Sequence, residues 1–203
     1  MDVEIGEHGA EALAEPEYRS IPISYRVESM FRIEPVDRGL GGLTLTEVPV
    51  DPPWVNDYDK GDPAARIERW QRRGVSNWRV LMAYDGECPV AGAVLAFDTE
   101  GVNMLEGRKD LCVLWDLRVH PDCRRRGIGT ALLQRGFEVA RGRGCTRFKI
   151  ETQNVNVPAC RFYARQGCRL IGVDCYGHER EPGRFETVLI WGLDLASDER
   201  EGE

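Results

Sequence analysis

The stretch LCVLWDLRV, Leu111–Val119, followed by HPDCRRRGIGTA, His120–Ala131, decides how this chain is read. Its first part is almost continuously apolar, broken only by Asp116 and Arg118, which is the pattern of a central strand buried on both faces. The strand runs into a turn that holds Arg124, Arg125, Arg126, Gly127 and Gly129. The turn opens a helix expected over 127–141, with Ile128, Ala131, Leu132 and Phe137 on one stripe. Backbone amides at a helix start form an anion cradle, and the helix dipole adds about half a positive charge. Gly127 and Gly129 carry no β-carbon, so an anion can approach the backbone closely, and the arginines add charge-assisted hydrogen bonds. A pyrophosphate over residues 124–130 is the expected occupant.

Two other phosphate loops fit less well. A dinucleotide fingerprint needs a third glycine where Leu132 stands, although Glu151 lies about the right distance downstream. A Walker A loop needs a lysine after its last glycine, and Gly129 is followed by Thr130. An Arg-rich solvated turn capping an ordinary helix is the bland alternative.

Working outward, strands are expected over 23–34 and 43–48 around a turn with Gly39, Gly41 and Gly42. The Pro- and Asp-rich stretch 51–63 reads as a loop, after which Asp62-Pro63 starts a helix that ends at Gly74, with Ile67 and Trp70 facing inward. Strands at 78–84 and 90–97 flank the tight Asp85-Gly86 turn. Beyond the central strand come a strand at 148–151, a helix at 156–166 with Pro158 in its first turn, and strands at 170–175 and 185–195. This order predicts a mixed, mostly antiparallel α/β sheet of six to seven strands flanked by three to four helices. Residues 1–20 and 197–203 are polar and expected as loose tails around a single domain over 21–196.

The composition, 42% hydrophobic and 30% charged, supports a packed core. A net charge of −7 argues against non-specific nucleic-acid binding, which needs a basic surface. No window reaches the ~18 apolar residues of a membrane span, and the acidic start has no secretory pattern, so a cytoplasmic protein is expected. Seven cysteines without a CxxC and three histidines (His8, His120, His178) without ligand spacing predict neither a disulfide framework nor a metal site.

The run Arg124-x-x-Gly127-x-Gly129 after a strand resembles the acyl-CoA signature of the GNAT superfamily of N-acetyltransferases. Asn156-x-x-Ala159-x-x-Phe162-Tyr163-x-x-x-Gly167 is similar to that superfamily's second helix motif, in the expected order. Glu151-Thr152-Gln153 with Asn156-Val157-Pro158-Ala159-Cys160 and Tyr163-Ala164 resembles the streptothricin acetyltransferase branch, although Cys168 and Trp115 depart from the usual residues at their positions. The resemblance implies a sheet splayed at the central strand, acetyl-CoA as co-substrate with no metal, and direct transfer to a primary amine of a small cationic acceptor, with the β-lysine amine of streptothricin as the sharpest candidate. It also implies that dimers occur among the relatives.

Within that resemblance the pantetheine arm pairs with the backbone of Leu117, Arg118 and Val119, and the Val119 amide meets the thioester oxygen. The diphosphate lies over Arg124, Arg125, Arg126, Gly127, Ile128, Gly129 and Thr130. Asn156 and Ala159 serve the pantetheine or the helix start. Tyr163 donates a proton to the departing sulfur. Asp116 and Glu151 are both candidates for the base. Cys123, Cys160 and Cys168 read as packing, since no histidine is placed to activate a thiol. Asp51, Asp57, Asp59 and Asp62, with Trp54 and Tyr58, are either a wall for a cationic acceptor or a solvated loop. Protein N-terminal or lysine acetylation, and a non-catalytic acyl-CoA-binding regulatory module, remain as alternatives.

Overall fold

A computed structural model describes residues 3–181 and 184–195. Nine strands and four helices follow the order β1 (Glu4–Gly9), α1 (Pro16–Ser20), β2 (Tyr25–Pro35), β3 (Leu43–Asn56), α2 (Pro63–Gln71), β4 (Arg79–Asp85), β5 (Cys88–Phe97), β6 (Leu111–Val119), α3 (Ile128–Gly142), β7 (Arg147–Gln153), α4 (Val157–Arg165), β8 (Arg169–Glu181) and β9 (Arg184–Asp194). Seven strands form one sheet in the order β1-β4-β5-β6-β7-β9-β8, while β2 and β3 pair as a separate ribbon. The parallel pair is β6 with β7; β1–β4, β4–β5, β5–β6 and β8–β9 are antiparallel. The expected mixed, mostly antiparallel sheet is therefore present.

By density of contacts the chain divides into two compact units, residues 3–23, 57–150 and 193–195 in one, and 24–56 with 151–192 in the other. In the first, α3 lays Leu132, Leu133, Phe137 and Ala140 on the sheet, all buried. Phe137 meets Phe148 of β7 edge to face at 4.9 Å. The α2 stripe behaves as its spacing requires, with Ile67 and Trp70 buried, and Asp62 accepts the Ala65 amide at 2.9 Å as the N-cap. Trp78 packs at 4.9 Å from Trp115 of β6. In the second unit, Asn154 joins the ribbon to β9. Its main chain bonds Phe31 and Thr187, and its side-chain amide bonds the same two residues from its other end.

Two expectations are corrected. Residues 4–20 were expected to be a loose tail, yet Glu4–Gly9 pair with β4 and Leu13, Tyr18 and Ile21 are fully buried. A short strand with no buried residue suits a sheet edge held by its backbone, so composition alone misses it. The stretch 51–56 was expected to lie in a loop but continues β3. Its prolines are tolerated because the register to β2 jumps from Ser29–Pro49 to Val27–Trp54, which leaves 50–53 outside the ladder. The expected tail over 197–203 lies outside the described residues.

Candidate active site

Strand β6 determines the geometry of the first unit. It faces β5 along its whole length, but its ladder to β7 runs only from Leu111–Arg147 to Leu114–Ile150. A bulge at Trp115 shifts the register to β5, where Val94 faces Asp116 and Leu95 faces Leu114. The amide of His120 donates to Val90 at 2.8 Å, toward β5. Alternate amides of a strand share an edge, so Arg118 also points toward β5 and the amides of Leu117 and Val119 point away from it. The Val119 carbonyl, aimed the same way, accepts Arg124 Nε at 3.1 Å.

The turn after β6 suits an anion. Arg125 and Gly127 both sit in the left-handed region, with φ of 62° and 83°. Gly127 is the N-cap of α3 and supplies no side-chain cap. Ala131 donates to the Gly127 carbonyl at 3.0 Å, which places the amides of Ile128 and Gly129 ahead of it at the very start of the helix. A β-carbon added at Gly127 would meet nothing within 4 Å, so the approach to these amides is open. Arg124, Arg125 and Arg126 are exposed around them, and the first turn of α3 has no acidic residue. Ile128 contributes its amide only, since its side chain is buried. These residues fit a diphosphate.

Asp116 and Arg118 occupy a different environment from the one expected. Asp116 Oδ2 accepts Tyr18 Oη at 2.5 Å and Arg118 Nε at 2.7 Å, and Oδ1 accepts Arg66 Nη2 at 3.0 Å. Arg66 Nη1 and Arg118 Nη1 continue to Asp59 at 3.1 and 3.3 Å. The four charges close a ring, Asp116–Arg118–Asp59–Arg66, that alternates in sign and sums to zero. Arg118 also donates to the Ile21 carbonyl at 3.0 Å and lies 4.6 Å over the Tyr18 ring. The side chains of Asp116 and Arg118 are 1% and 0% exposed. Arg118 thus cannot offer its guanidinium to a cofactor, and Asp116 has both oxygens engaged. Burial and the Asp116 carboxylate raise the Tyr18 phenol well above its ordinary range, which keeps it a donor. Tyr18 fits because β5 carries Gly92 beneath it, where a β-carbon would come 2.7 Å from the ring. No spacing rule finds this ring, because Asp59 and Arg66 lie 59 and 50 residues from the strand side chains they meet, and Tyr18 lies 98 from Asp116.

Three acids of the expected cationic wall are taken up by the fold, whereas Asp51 stands exposed on β3. Asp57 accepts the amides of Asp59 and Gly61, Asp59 belongs to the ring, and Asp62 caps α2. Tyr58 lies under Arg66, 5.6 Å from its guanidinium carbon.

In the second unit, Asn156 is the N-cap of α4, and its side-chain oxygen accepts the Ala159 amide at 3.2 Å. Tyr163 is buried on the same helix beside Phe162, with ring centroids 5.2 Å apart. Glu151 is exposed on β7 between buried Ile150 and Thr152. Cys160 is buried against Thr152, and burial pushes its thiol up to about 11; burial does the same to Cys168. Neither is a thiolate at neutral pH, as the packing reading requires. Among the described residues no cluster of His, Cys, Asp or Glu is arranged to hold a metal ion, and no helix is long and apolar enough to cross a membrane.

A seven-stranded sheet in which β6 pairs in parallel with β7 and runs into a glycine- and arginine-rich helix start is the scaffold of an acyl-CoA-type acetyltransferase. The acetyltransferase (GNAT) family matches residues 49–168, and the chain belongs to this family, whose members take the acetyl group from acetyl-CoA. It is 27% identical over 153 residues to the streptothricin acetyltransferase of Streptomyces lavendulae, covering 75% of this chain and 76% of that protein. It is 34% identical over 76 residues to streptothricin acetyltransferase A of Bacillus subtilis (strain 168), which covers 37% of this chain and 44% of the relative, less than half its length. A crystal structure of nourseothricin acetyltransferase superposes with a TM-score of 0.70 at 26% identity, over 97% of this chain and all of that one. A Bacillus anthracis protein solved in complex with acetyl coenzyme A shares the fold, with a TM-score of 0.73 at 19% identity over 95% of this chain and 99% of that one.

Proposed function

We propose that this chain is an N-acetyltransferase that moves acetyl from acetyl-CoA directly to a primary amine of a small cationic acceptor, and that the acceptor is the β-lysine amine of a streptothricin-type antibiotic. The open, uncapped start of α3 beneath three exposed arginines carries the reading, because it fits the diphosphate of coenzyme A. The similarity to streptothricin acetyltransferases supports the acceptor. Seven unpaired cysteines suit a reducing, cytoplasmic setting.

Acetyl-CoA supplies an activated acyl group on a thiolate leaving group. The amides of Leu117 and Val119, aimed off β5, bind the pantetheine arm, and the Val119 N–H stabilises the acetyl oxygen as it gains charge. Glu151, exposed on β7, takes the proton of the ammonium through water, and the amine then forms the amide bond as the C–S bond breaks. Tyr163 gives its proton to the departing sulfur, and the proton that the nitrogen sheds on becoming an amide restores the phenol through water. Asp116 is assigned no proton transfer, because three donors occupy its two oxygens.

A thiol-release assay with acetyl-CoA against streptothricin, lysine, polyamines, aminoglycosides and a short peptide with a free N-terminus tests the assignment. Streptothricin is expected to give a kcat/KM at least ~100-fold above the other amines. A preference for the peptide would replace the antibiotic reading with protein acetylation, and thiol release with no amine in the panel would overturn the acceptor.

A further inference from the structure

We infer that the closed ring of Asp116, Arg118, Asp59 and Arg66, locked by Tyr18, is a positioning device for the acetyl-CoA strand, so that Tyr18, Asp59 and Arg66 are positioning residues of the reaction. The inference rests on the acetyl-CoA reading above and is independent of the acceptor.

The argument starts from what holds the second half of β6. Up to Leu114 the strand is fixed on both edges, by β5 and by β7. After the bulge at Trp115 the described ladder continues on the β5 edge alone, while the amides of Leu117 and Val119 are turned to the other edge. A strand segment with one hydrogen-bonded neighbour is free to twist and slide by fractions of an ångström. Transfer chemistry is sensitive to displacements of about that size.

The ring removes that freedom. Asp116 and Arg118 are the residues immediately flanking Leu117, and both send their side chains to one face, two residues apart. There each is held by several bonds: Asp116 by Tyr18, Arg118 and Arg66, and Arg118 by Asp116, Asp59 and the Ile21 carbonyl. Their anchors come from three separate elements, with Tyr18 on α1, Asp59 in the turn before α2, and Arg66 on α2. A solely stabilising core would be served as well by apolar side chains of the same volume, since buried ion pairs add little net stability. A closed, charge-neutral array instead specifies one arrangement, with each Arg bridging two carboxylates in a fixed fork.

The test compares Tyr18→Phe, Asp59→Asn, Arg66→Gln and Arg66→Lys with the parent protein, using calorimetric titration of acetyl-CoA and thiol-release kinetics on samples shown to be folded by circular dichroism. The ring predicts that Asp59→Asn and Arg66→Gln weaken acetyl-CoA binding and raise its KM by about tenfold. It also predicts an unchanged KM for the acceptor, unshifted limbs of the pH–rate profile, and partial recovery in Arg66→Lys. Acetyl-CoA affinity within twofold of the parent, with only a lower melting temperature, overturns the inference and leaves the ring a stabilising feature. Loss of the acidic limb in Asp116→Asn but not in Asp59→Asn also overturns it, making Asp116 the base. If Asp59→Asn does not fold, Tyr18→Phe decides by the same criteria. Parent protein that rejects every amine yet binds acetyl-CoA sinks the acceptor assignment and not the ring, whereas parent protein that does not bind acetyl-CoA overturns both.

Discussion

At the scale of single residues, the two acids read from the sequence have different surroundings. Asp116 is enclosed by Tyr18, Arg66 and Arg118, and Glu151 stands exposed on its strand. A base needs an oxygen open to the proton it takes, and both oxygens of Asp116 are already engaged by Tyr18 and the two arginines. Removing one member of such a buried set leaves an uncompensated charge, at a cost of about 3–5 kcal/mol. Substitutions at Asp116 or Arg118 are therefore poor probes of chemistry unless folding is measured alongside. Tyr163 is a cleaner probe, because phenylalanine keeps the ring packed beside Phe162 and removes only the hydroxyl. Tyr163→Phe is expected to lower kcat by about 100-fold while acetyl-CoA affinity stays within a factor of two, as read by steady-state kinetics and calorimetry. An unchanged kcat would remove Tyr163 from the proton path.

Helix α4 carries a second consequence at the scale of elements. Cys160 on its inner face and Cys168 just past its end have thiols pushed by burial up to about 11, against an ordinary value of 9.0. In the unfolded chain they ionise near 9, so the unfolded state releases protons first as pH rises. Stability is thus full below about pH 9 and declines toward pH 11. Urea melts across that range are expected to show the decline, and a Cys160→Ala/Cys168→Ala protein should show a shallower one. An equal decline in both proteins would assign it to other groups. The elements differ in how readable they were. β6 was legible because a run buried on both faces has no polar face to confuse the pattern, and the starts of α2 and α4 because Asp62 and Asn156 act within three residues of themselves. The bulge at Trp115 was not, since an extra residue in a strand has no signature in a continuous apolar run. Nor was the strand character of 51–56, because Pro52 and Pro53 speak against a strand unless the partner's register is known.

At the scale of the molecule, what the sequence hid is what joins distant segments. The glycine- and arginine-rich turn after β6 is local and could be read from a dozen residues. The ring and the Asn154 bridge gather side chains from elements far apart along the chain, and neither leaves a periodic trace. Residues 4–21 look dispensable by composition, yet they supply an edge strand and three buried side chains, Leu13, Ile21 and Tyr18 with its phenol. Tyr18 and Ile21 are synthesised 98 and 97 residues ahead of their partners Asp116 and Arg118. During synthesis the opening helix therefore waits unanchored until most of the sheet exists, and its docking is among the last steps of folding. Tyr18→Phe should accordingly speed unfolding by about tenfold or more and leave the refolding rate almost unchanged in stopped-flow experiments. A matching fall in refolding rate would place the helix in the nucleus instead. The latch closes late, and it is also where the folded protein would be expected to begin coming apart.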